Sequence, residues 1–188
     1  TGPAAIEASN HELTDILSTQ ERLDNSRWSE LSGIYKIWKE GPRHSVIGFC
    51  HYRRFFDFSG ANDSVDCSAI RKGETAHYQS HFYSEDRLAR CLEKSVILPH
   101  PVRLDQSPFQ HYSEFHQAND LCLMISLVAQ QAPQLLPYLD NLLSGQSFYA
   151  CNMFAMKWQL FDDLCETWFL ILRQFEMMVP AGRASRYQ

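Results

Sequence analysis

The residues best suited to bind a charged ligand lie in one short segment. The apolar run that ends at Cys50 leads directly into His51, Tyr52, Arg53 and Arg54. Two arginines at the end of a core strand need anions nearby, because burying a guanidinium without partners is costly. The planar guanidinium donors match pairs of phosphate or carboxylate oxygens. The segment therefore predicts a diphosphate site, with His51 or Tyr52 supplying a further hydrogen bond or a stacking face.

The same two arginines also fit a purely structural role. Arg53 and Arg54 would then pair with carboxylates such as Asp57 or Glu30, and ion pairs of this kind are common outside functional sites. Alternate residues on a strand point to opposite faces. We therefore expect one arginine to reach a ligand and the other to anchor the segment to a carboxylate.

The composition excludes several classes of protein. The 188 residues suggest one domain or two small ones, and 45% hydrophobic with 21% charged residues is ordinary for a globular chain. A net charge of −5 argues against nucleic-acid binding. The longest apolar stretch, 121–129, is well short of the roughly 20 residues that cross a bilayer, which leaves peripheral membrane association open. The six cysteines form no CxxC pair, which favours a reduced, cytoplasmic protein.

Helical and strand patterns alternate along the chain. Strands are predicted at residues 45–50, buried on both faces, at 95–98 and at 148–156. Helices are predicted at 11–20, from Asn25 or Ser26 to Gly41, at 85–94 and at 158–178. A further helical region begins after Ser107 and is broken at Pro133 and Gly145. Residues 60–73 are predicted to form a loop. This order predicts an α/β layered domain, in which ligands usually bind beyond the carboxyl ends of the strands.

Two blocks carry a resemblance to a known family. Residues 50–56 (CHYRRFF) and 152–157 (NMFAMK) join rare residue types in fixed order. They resemble a bacterial family of capsular and exopolysaccharide gene clusters, known as a domain of unknown function and associated with glycosyltransferases. Further similar positions, in the family's order from about 28 to 176, are 30–39, 47–49, 96–99, Tyr112, His116, Asp120, 149–151, Phe161, Asp162, Ile171 and Leu172. The resemblance implies one GT-A-like domain over 1–188, a nucleotide-binding α/β sheet flanked by helices, with 1–24 poorly matched.

The resemblance also implies an activity and a set of site residues. Such an enzyme moves a hexose, with galactofuranose as one candidate, from a nucleotide sugar to a surface-polysaccharide or lipid-linked acceptor. The donor would bind at His51, Tyr52, Arg53 and Arg54. Asn152, predicted to lie in a strand, would hydrogen-bond an acceptor hydroxyl, or a backbone group in a structural role. Glu30 is the second residue predicted to bind the acceptor.

An inverting transferase needs a base that deprotonates the acceptor hydroxyl. The candidates are Asp57, His116, Asp120, Asp162 and Asp163. His116 and Asp120 are four residues apart and could share one face of a helix, either for acid–base work or only to fix the helix. Asp162 and Asp163 are predicted to open a helix, where the dipole favours carboxylates in any case.

The sequence has no Asp-x-Asp pair of the kind that holds a divalent ion in GT-A enzymes. We therefore predict no cofactor and no metal site, with the cationic segment balancing the charge of the leaving group, although Mg²⁺ or Mn²⁺ stays open. His77 and His81 have helical spacing, but no third ligand accompanies them.

Two departures from the family pattern favour an alternative function. Members usually open with a strand and loop, and no such strand precedes residue 11; members also continue beyond a segment like 186–188. Because the chain neither begins with methionine nor ends on a helix-stopping signal, we expect a piece of a longer protein. The alternative is a non-catalytic module that binds carbohydrate or a protein. A purely helical interaction domain would require that 45–50 and 95–98 are not strands.

Overall fold

In the computed structural model of the chain, the described residues are 28–51, 54–58, 66–69, 84–93 and 96–179, with only the backbone given for 66–69 and for residue 85. The chain divides into two units between His44 and Ser45. The predicted helix at 11–20 and the predicted caps Asn25 and Ser26 lie outside the described residues.

The described part of the first unit is built around helix α1, Glu30–Glu40. Its buried side chains are Ile34 and Tyr35. The helix ends as predicted at Gly41, whose backbone N–H donates to the Ile37 carbonyl at 2.9 Å. Helical periodicity therefore correctly located this element and its end.

The second unit mixes short strands with longer helices. The strands are β1 Val46–Phe49, β2 Arg54–Asp57, β3 Asp66–Ala69, β4 Val96–Ile97, β5 Val102–Arg103, β6 Ser147–Phe148 and β7 Phe154–Lys157. The helices are α2 Glu85–Glu93, α3 Pro108–Phe115, α4 Ala118–Gln131, a 3₁₀ turn Pro133–Leu135, α5 Leu136–Ser144 and α6 Trp158–Met178. No helix in these described ranges is both long and apolar enough to cross a membrane.

The main sheet is antiparallel and has β7 at its centre, between β1 and β4. Contrary to the expectation for 45–50, β1 pairs on one side only within the described residues, and it is half-buried apart from the exposed Gly48. The interior position belongs to β7, where Phe154, Ala155 and Met156 are all buried. A short apolar run does not reveal which strand is central, because pairing partners come from elsewhere in the chain.

Each face of β7 packs on a different layer. On one face, the rings of Phe49, Phe154 and the fully buried Phe161 of α6 lie 5.1–6.2 Å apart between centroids. On the other face, Ala155 joins a cluster that includes Phe56 of β2. The other buried members of this cluster are Phe58, Leu92, Ile97 and Met153. The helices and paired strands pack in layers around β7, which gives the expected α/β fold class.

Helix α6 has the predicted bounds and lies against both the sheet and α4. The backbone N–H of Trp158 donates to the Ser45 carbonyl at 3.0 Å, which ties the start of α6 to β1. Farther along, Ile171 packs with Leu127 and Ala132. Leu164 of this helix is exposed.

Two sequence expectations are wrong about strand limits. Residues 66–69 of the predicted loop at 60–73 form β3, while the rest of that loop lies outside the described residues. The strand predicted at 148–156 is two strands, because Cys151 (φ 74°) and Asn152 (φ 44°) adopt left-handed backbone conformations between β6 and β7. Such conformations break an extended ladder.

Candidate functional site

The end of β1 and the start of β7 lie at the same end of the main sheet. Phe49 pairs with Phe154, so the residues after β1 and the residues before β7 leave the ladder side by side. His51 follows β1, and Asn152 precedes β7. The antiparallel register thus brings a predicted donor-binding residue and a predicted acceptor-binding residue to one place.

Strand β2 starts beside His51. The two segments share an isolated antiparallel bridge, and the backbone N–H of Arg54 donates to the His51 carbonyl at 3.1 Å. This bond fixes the start of β2 at the end of β1. Tyr52 and Arg53, the other predicted donor-binding residues, lie outside the described residues.

The guanidinium of Arg54 reaches across to the turn before β7. Its Nη1 donates to Cys151 Sγ at 3.0 Å, and the side chain is exposed. Sulfur is a weak acceptor, and a guanidinium carries several further N–H donors. Within the described part of the chain, no carboxylate forms an ion pair with Arg54. The exposed charge can therefore receive an anion.

The turn that meets Arg54 has an unusual backbone. Asparagine tolerates the left-handed region, but two consecutive non-glycine residues there are uncommon. Cys151 packs against the core cluster, and Met153, two residues later, is buried in it. These contacts hold the turn, and Asn152 is exposed at its tip. Backbone conformations of this kind concentrate at ligand-binding sites.

Asp57 does not share the side of β2 that carries Arg54. Arg54 and the buried Phe56 are two residues apart and point to the face that meets the core cluster and Cys151. Asp57 is half-buried and belongs to the opposite face. The strand thus separates this candidate base from the Arg54 guanidinium.

A second arginine, Arg87 of α2, was missed by the sequence reasoning. It is only 6% exposed, and its Nη1 donates to the Phe58 carbonyl at 3.2 Å, just beyond the end of β2. Its position four residues before Cys91, on a side of the helix that also packs Leu88 into the core, could have indicated burial. An arginine within an apolar stripe is a signal for an anchored guanidinium.

His116 and Asp120 do not lie on one helix, so the expectation that they share a helical face is wrong. His116 caps α3 in an extended conformation, and Asp120 lies in the first turn of α4. The chain ends one helix and starts the next between them. The backbone N–H of Asp120 donates to the Gln117 carbonyl at 3.0 Å, which fixes the start of α4.

The junction of α3 and α4 nevertheless gathers three functional groups. The Tyr112 and His116 rings stack, with centroids 4.5 Å apart and planes inclined by 27°. Burial, and to a lesser degree the negative charge of Asp120, raise the pKa of the Tyr112 phenol. We call Tyr112, His116 and Asp120 the junction cluster. Sequence spacing suggested the His116–Asp120 pair, and Tyr112, four residues before His116, has the same spacing, which the sequence reasoning did not use.

The remaining predicted residues fall elsewhere. Glu30 lies in the first turn of α1, in the first unit, and accepts a hydrogen bond from Ser29 Oγ at 2.6 Å. Asp162 and Asp163 lie in the second turn of α6 and do not open it. His77 and His81 lie outside the described residues. Among the residues that are described, no three His, Cys, Asp or Glu side chains are grouped so as to hold a metal ion.

Comparisons with known proteins show a similar fold and a family for this chain. Its α/β fold is similar to the apo structure of WbbM, a bifunctional glycosyltransferase, with a TM-score of 0.72 at 23% sequence identity. The match covers 90% of this chain and 32% of WbbM, so the chain spans about a third of that protein's length. Residues 7–188 match the domain of unknown function DUF4422, and the chain belongs to that family. No curated protein is similar enough in sequence to count as a relative.

Proposed function

We propose that the chain is part of a glycosyltransferase that moves a hexose, with galactofuranose as one candidate, from a nucleotide sugar to a surface polysaccharide or a lipid-linked acceptor. The observation that carries the proposal is the meeting of Arg54 with the turn at Cys151 and Asn152. This arrangement lies at one end of the central sheet, in a fold similar to that of a glycosyltransferase.

The donor diphosphate binds at the exposed guanidinium of Arg54. Arginine matches two phosphate oxygens at once, and its charge favours the departing nucleoside diphosphate. His51 contributes to the same end of the sheet, and Tyr52 and Arg53 complete the proposed donor site. In this scheme fixed cations perform the charge balancing that a divalent ion performs in other transferases. A nucleotide-sugar donor also fits the cytoplasmic location inferred from the cysteines.

The acceptor approaches from the side of Asn152. An amide both donates and accepts hydrogen bonds, as a sugar hydroxyl does, and Asn152 is exposed beside the Arg54 contact. Transfer further requires a base within reach of the acceptor hydroxyl, for which Asp57, His116 and Asp120 are the proposed residues.

The test is a binding screen of the whole chain against UDP-galactofuranose, UDP-galactose, UDP-glucose and GDP-mannose by saturation-transfer NMR, followed by calorimetry. We expect at least one nucleotide sugar to bind with its diphosphate in contact with the protein. Release of the nucleoside diphosphate over time would then demonstrate turnover. Binding of free oligosaccharide without any nucleotide sugar would favour the non-catalytic module instead.

A further inference from the structure

The side chain of Arg54 is held at both of its ends. At the backbone, the Arg54 N–H donates to the His51 carbonyl at 3.1 Å, and β2 pairs Arg54 with Ala69 of β3. At the tip, Nη1 donates to Cys151 Sγ at 3.0 Å. An exposed arginine otherwise samples many rotamers, which a ligand has to reduce to one on binding. The contact with Cys151 therefore selects one direction for the guanidinium before any ligand arrives.

The sulfur that accepts this hydrogen bond is itself fixed to the core. Cys151 is half-buried and packs against the core cluster, which contains Phe56 of β2, two residues after Arg54. Its left-handed backbone, φ 74°, begins the turn that leads to Met153, which is only 3% exposed. Moving the turn away from β2 would expose this apolar side chain to water, which is unfavourable. The thiol is therefore a fixed acceptor beside an exposed guanidinium.

A thiol is an acceptor that leaves the arginine its charge. Sulfur is a weak acceptor, and a guanidinium has five N–H donors. Phosphate oxygens are charged and form stronger, paired hydrogen bonds with a guanidinium. A carboxylate at position 151 would instead pair with the cation and repel a diphosphate. The thiol can thus set the direction of Arg54 without competing with an anionic ligand.

We infer that Cys151 is a positioning residue of the proposed donor site. Its thiol sets the direction in which the Arg54 guanidinium meets the diphosphate of a nucleotide sugar, and it leaves the charge of that guanidinium to the ligand. Cys151 acts through Arg54 and takes no part in the bonds that form and break. This inference rests on the proposed function and adds to its donor site a residue 97 positions from Arg54.

The first experiment tests the direction of the guanidinium. Cys151→Ala removes the acceptor, Cys151→Ser keeps one, and Cys122→Ala is the control, because it removes an exposed thiol on α4. One readout is the heteronuclear NMR NOE of the Arg54 Nε–Hε group in the ligand-free protein, which reports picosecond-to-nanosecond motion and is assigned by its loss in Arg54→Lys. The others are calorimetric affinity for the tightest-binding nucleotide sugar of the panel and the melting temperature.

These variants should differ in both the motion of Arg54 and the affinity. Cys151→Ala should lower the NOE and weaken nucleotide-sugar binding by about three- to tenfold, the cost of ordering one long side chain on binding. Cys151→Ser should keep the NOE and bind within about twofold of the wild type, since a hydroxyl also accepts the hydrogen bond. The Cys122→Ala control should match the wild type in both readouts.

A second pair of variants tests the charge at position 151. Cys151→Asp and Cys151→Asn have the same shape, and both residue types tolerate the left-handed backbone found there. Cys151→Asp should keep Arg54 ordered but weaken binding by about tenfold or more, because the carboxylate takes the charged hydrogen bond meant for the diphosphate. Cys151→Asn is neutral and should bind within about threefold of the wild type.

Contrary results separate the inference from the proposed function. An unchanged Arg54 NOE in Cys151→Ala, unchanged affinity in that variant, or equal binding by Cys151→Asp and Cys151→Asn would overturn the inference. Equal losses of affinity and melting temperature in Cys151→Ala and Cys151→Ser would also overturn it, since the thiol would then support only the fold. The proposed function would stand in each case if Arg54→Ala still weakens binding. Failure of the wild-type chain to bind any nucleotide sugar would refute the proposed function, and the inference with it.

Discussion

Arg54 and Arg87 meet the two ends of strand β2 in opposite environments. Arg54, at the start of the strand, is exposed and donates to the thiol of Cys151. Arg87 comes from α2, is buried, and donates to the carbonyl of Phe58 just past the strand's end. Both side chains are cations next to the same short strand. Only the exposed one can receive an anion from solvent.

In this comparison burial, and not position near a strand end, separates the anchored Arg87 from Arg54, the arginine proposed to bind a ligand. The sequence predicted that one of Arg53 and Arg54 reaches a ligand and that the other anchors the segment to a carboxylate. The structure gives Arg54 no carboxylate partner within the described residues, and it gives an anchoring contact to Arg87, 33 positions farther along. Arg53 lies outside those residues, and its role stays a prediction.

The largest effect is expected on folding stability when Arg87, the buried arginine, is replaced. Arg87→Ala leaves the Phe58 carbonyl without its donor, which costs about 1–3 kcal/mol, and it also removes a packed aliphatic stem. Urea unfolding measures the loss of stability. Arg90→Ala is the control, because Arg90 is exposed on the same helix and should change stability by less than about 0.5 kcal/mol. Equal stability of the two variants would show that Arg87 is not an anchor.

Replacing the exposed Arg54 should lower ligand affinity and change stability little, the opposite of the result expected for Arg87. Arg54→Ala should weaken nucleotide-sugar binding by about 1.5–3 kcal/mol, the range for a hydrogen bond to a charged group. Its melting temperature should change little, because the side chain is exposed and its thiol acceptor is weak. Calorimetry and thermal melting measure the two quantities, with the exposed Arg103→Ala as the control. Early melting without a loss of affinity would assign Arg54 to the fold.

The turn that Arg54 contacts should be sensitive to backbone strain. Asn152 has φ 44°, a region that costs an ordinary residue about 1–2 kcal/mol and costs glycine little. Asn152→Ala should therefore be less stable than Asn152→Gly by about 1 kcal/mol in urea unfolding. Both variants lack the amide, so both should weaken acceptor binding equally. The reverse order of stability would mean that the turn is not held left-handed in solution.

A smaller effect is expected at the junction cluster at high pH. The folded-state pKa of Tyr112 lies above its ordinary value of 10.0, so the folded state favours the neutral phenol. This contribution to stability is fully present below pH 10.0 and is lost as pH rises through the folded pKa. Wild type should lose more stability than Tyr112→Phe above about pH 10. Absorbance titration of the two proteins gives the phenol's pKa by difference, and Asp120→Asn should lower it.

No change in nucleotide-sugar affinity is expected when divalent ions are removed. If Arg54 balances the diphosphate, EDTA should leave nucleotide-sugar affinity unchanged, whereas Arg54→Ala lowers it. Calorimetry with and without EDTA, and with added Mn²⁺, makes the comparison. Strict dependence of binding on Mn²⁺ would contradict a site that works through fixed cations.

The sequence by itself determined several helices and some of their limits, although it missed the break between α3 and α4 at residues 116–117. The bounds of α6, the stop of α1 at Gly41 and the break at Pro133 all follow from patterns within one segment. Helices depend on neighbours three and four residues away and on local stop signals, so a single segment contains the necessary information. The family resemblance of residues 50–56 and 152–157 was visible for a similar reason, since rare residue types stand there in fixed order.

Only the tertiary structure decided which of these segments meet. Cys151 lies 97 residues from Arg54, and β7, not β1, became the central strand. Asn152 lies in a left-handed turn and not in a strand, and Arg87 is buried while Arg54 is exposed. Strand pairing and burial depend on partners distant in sequence, and several short apolar runs could have filled the central position equally well. That choice set the place of each arginine, and with it the difference between a cation that holds the fold and one that can hold a ligand.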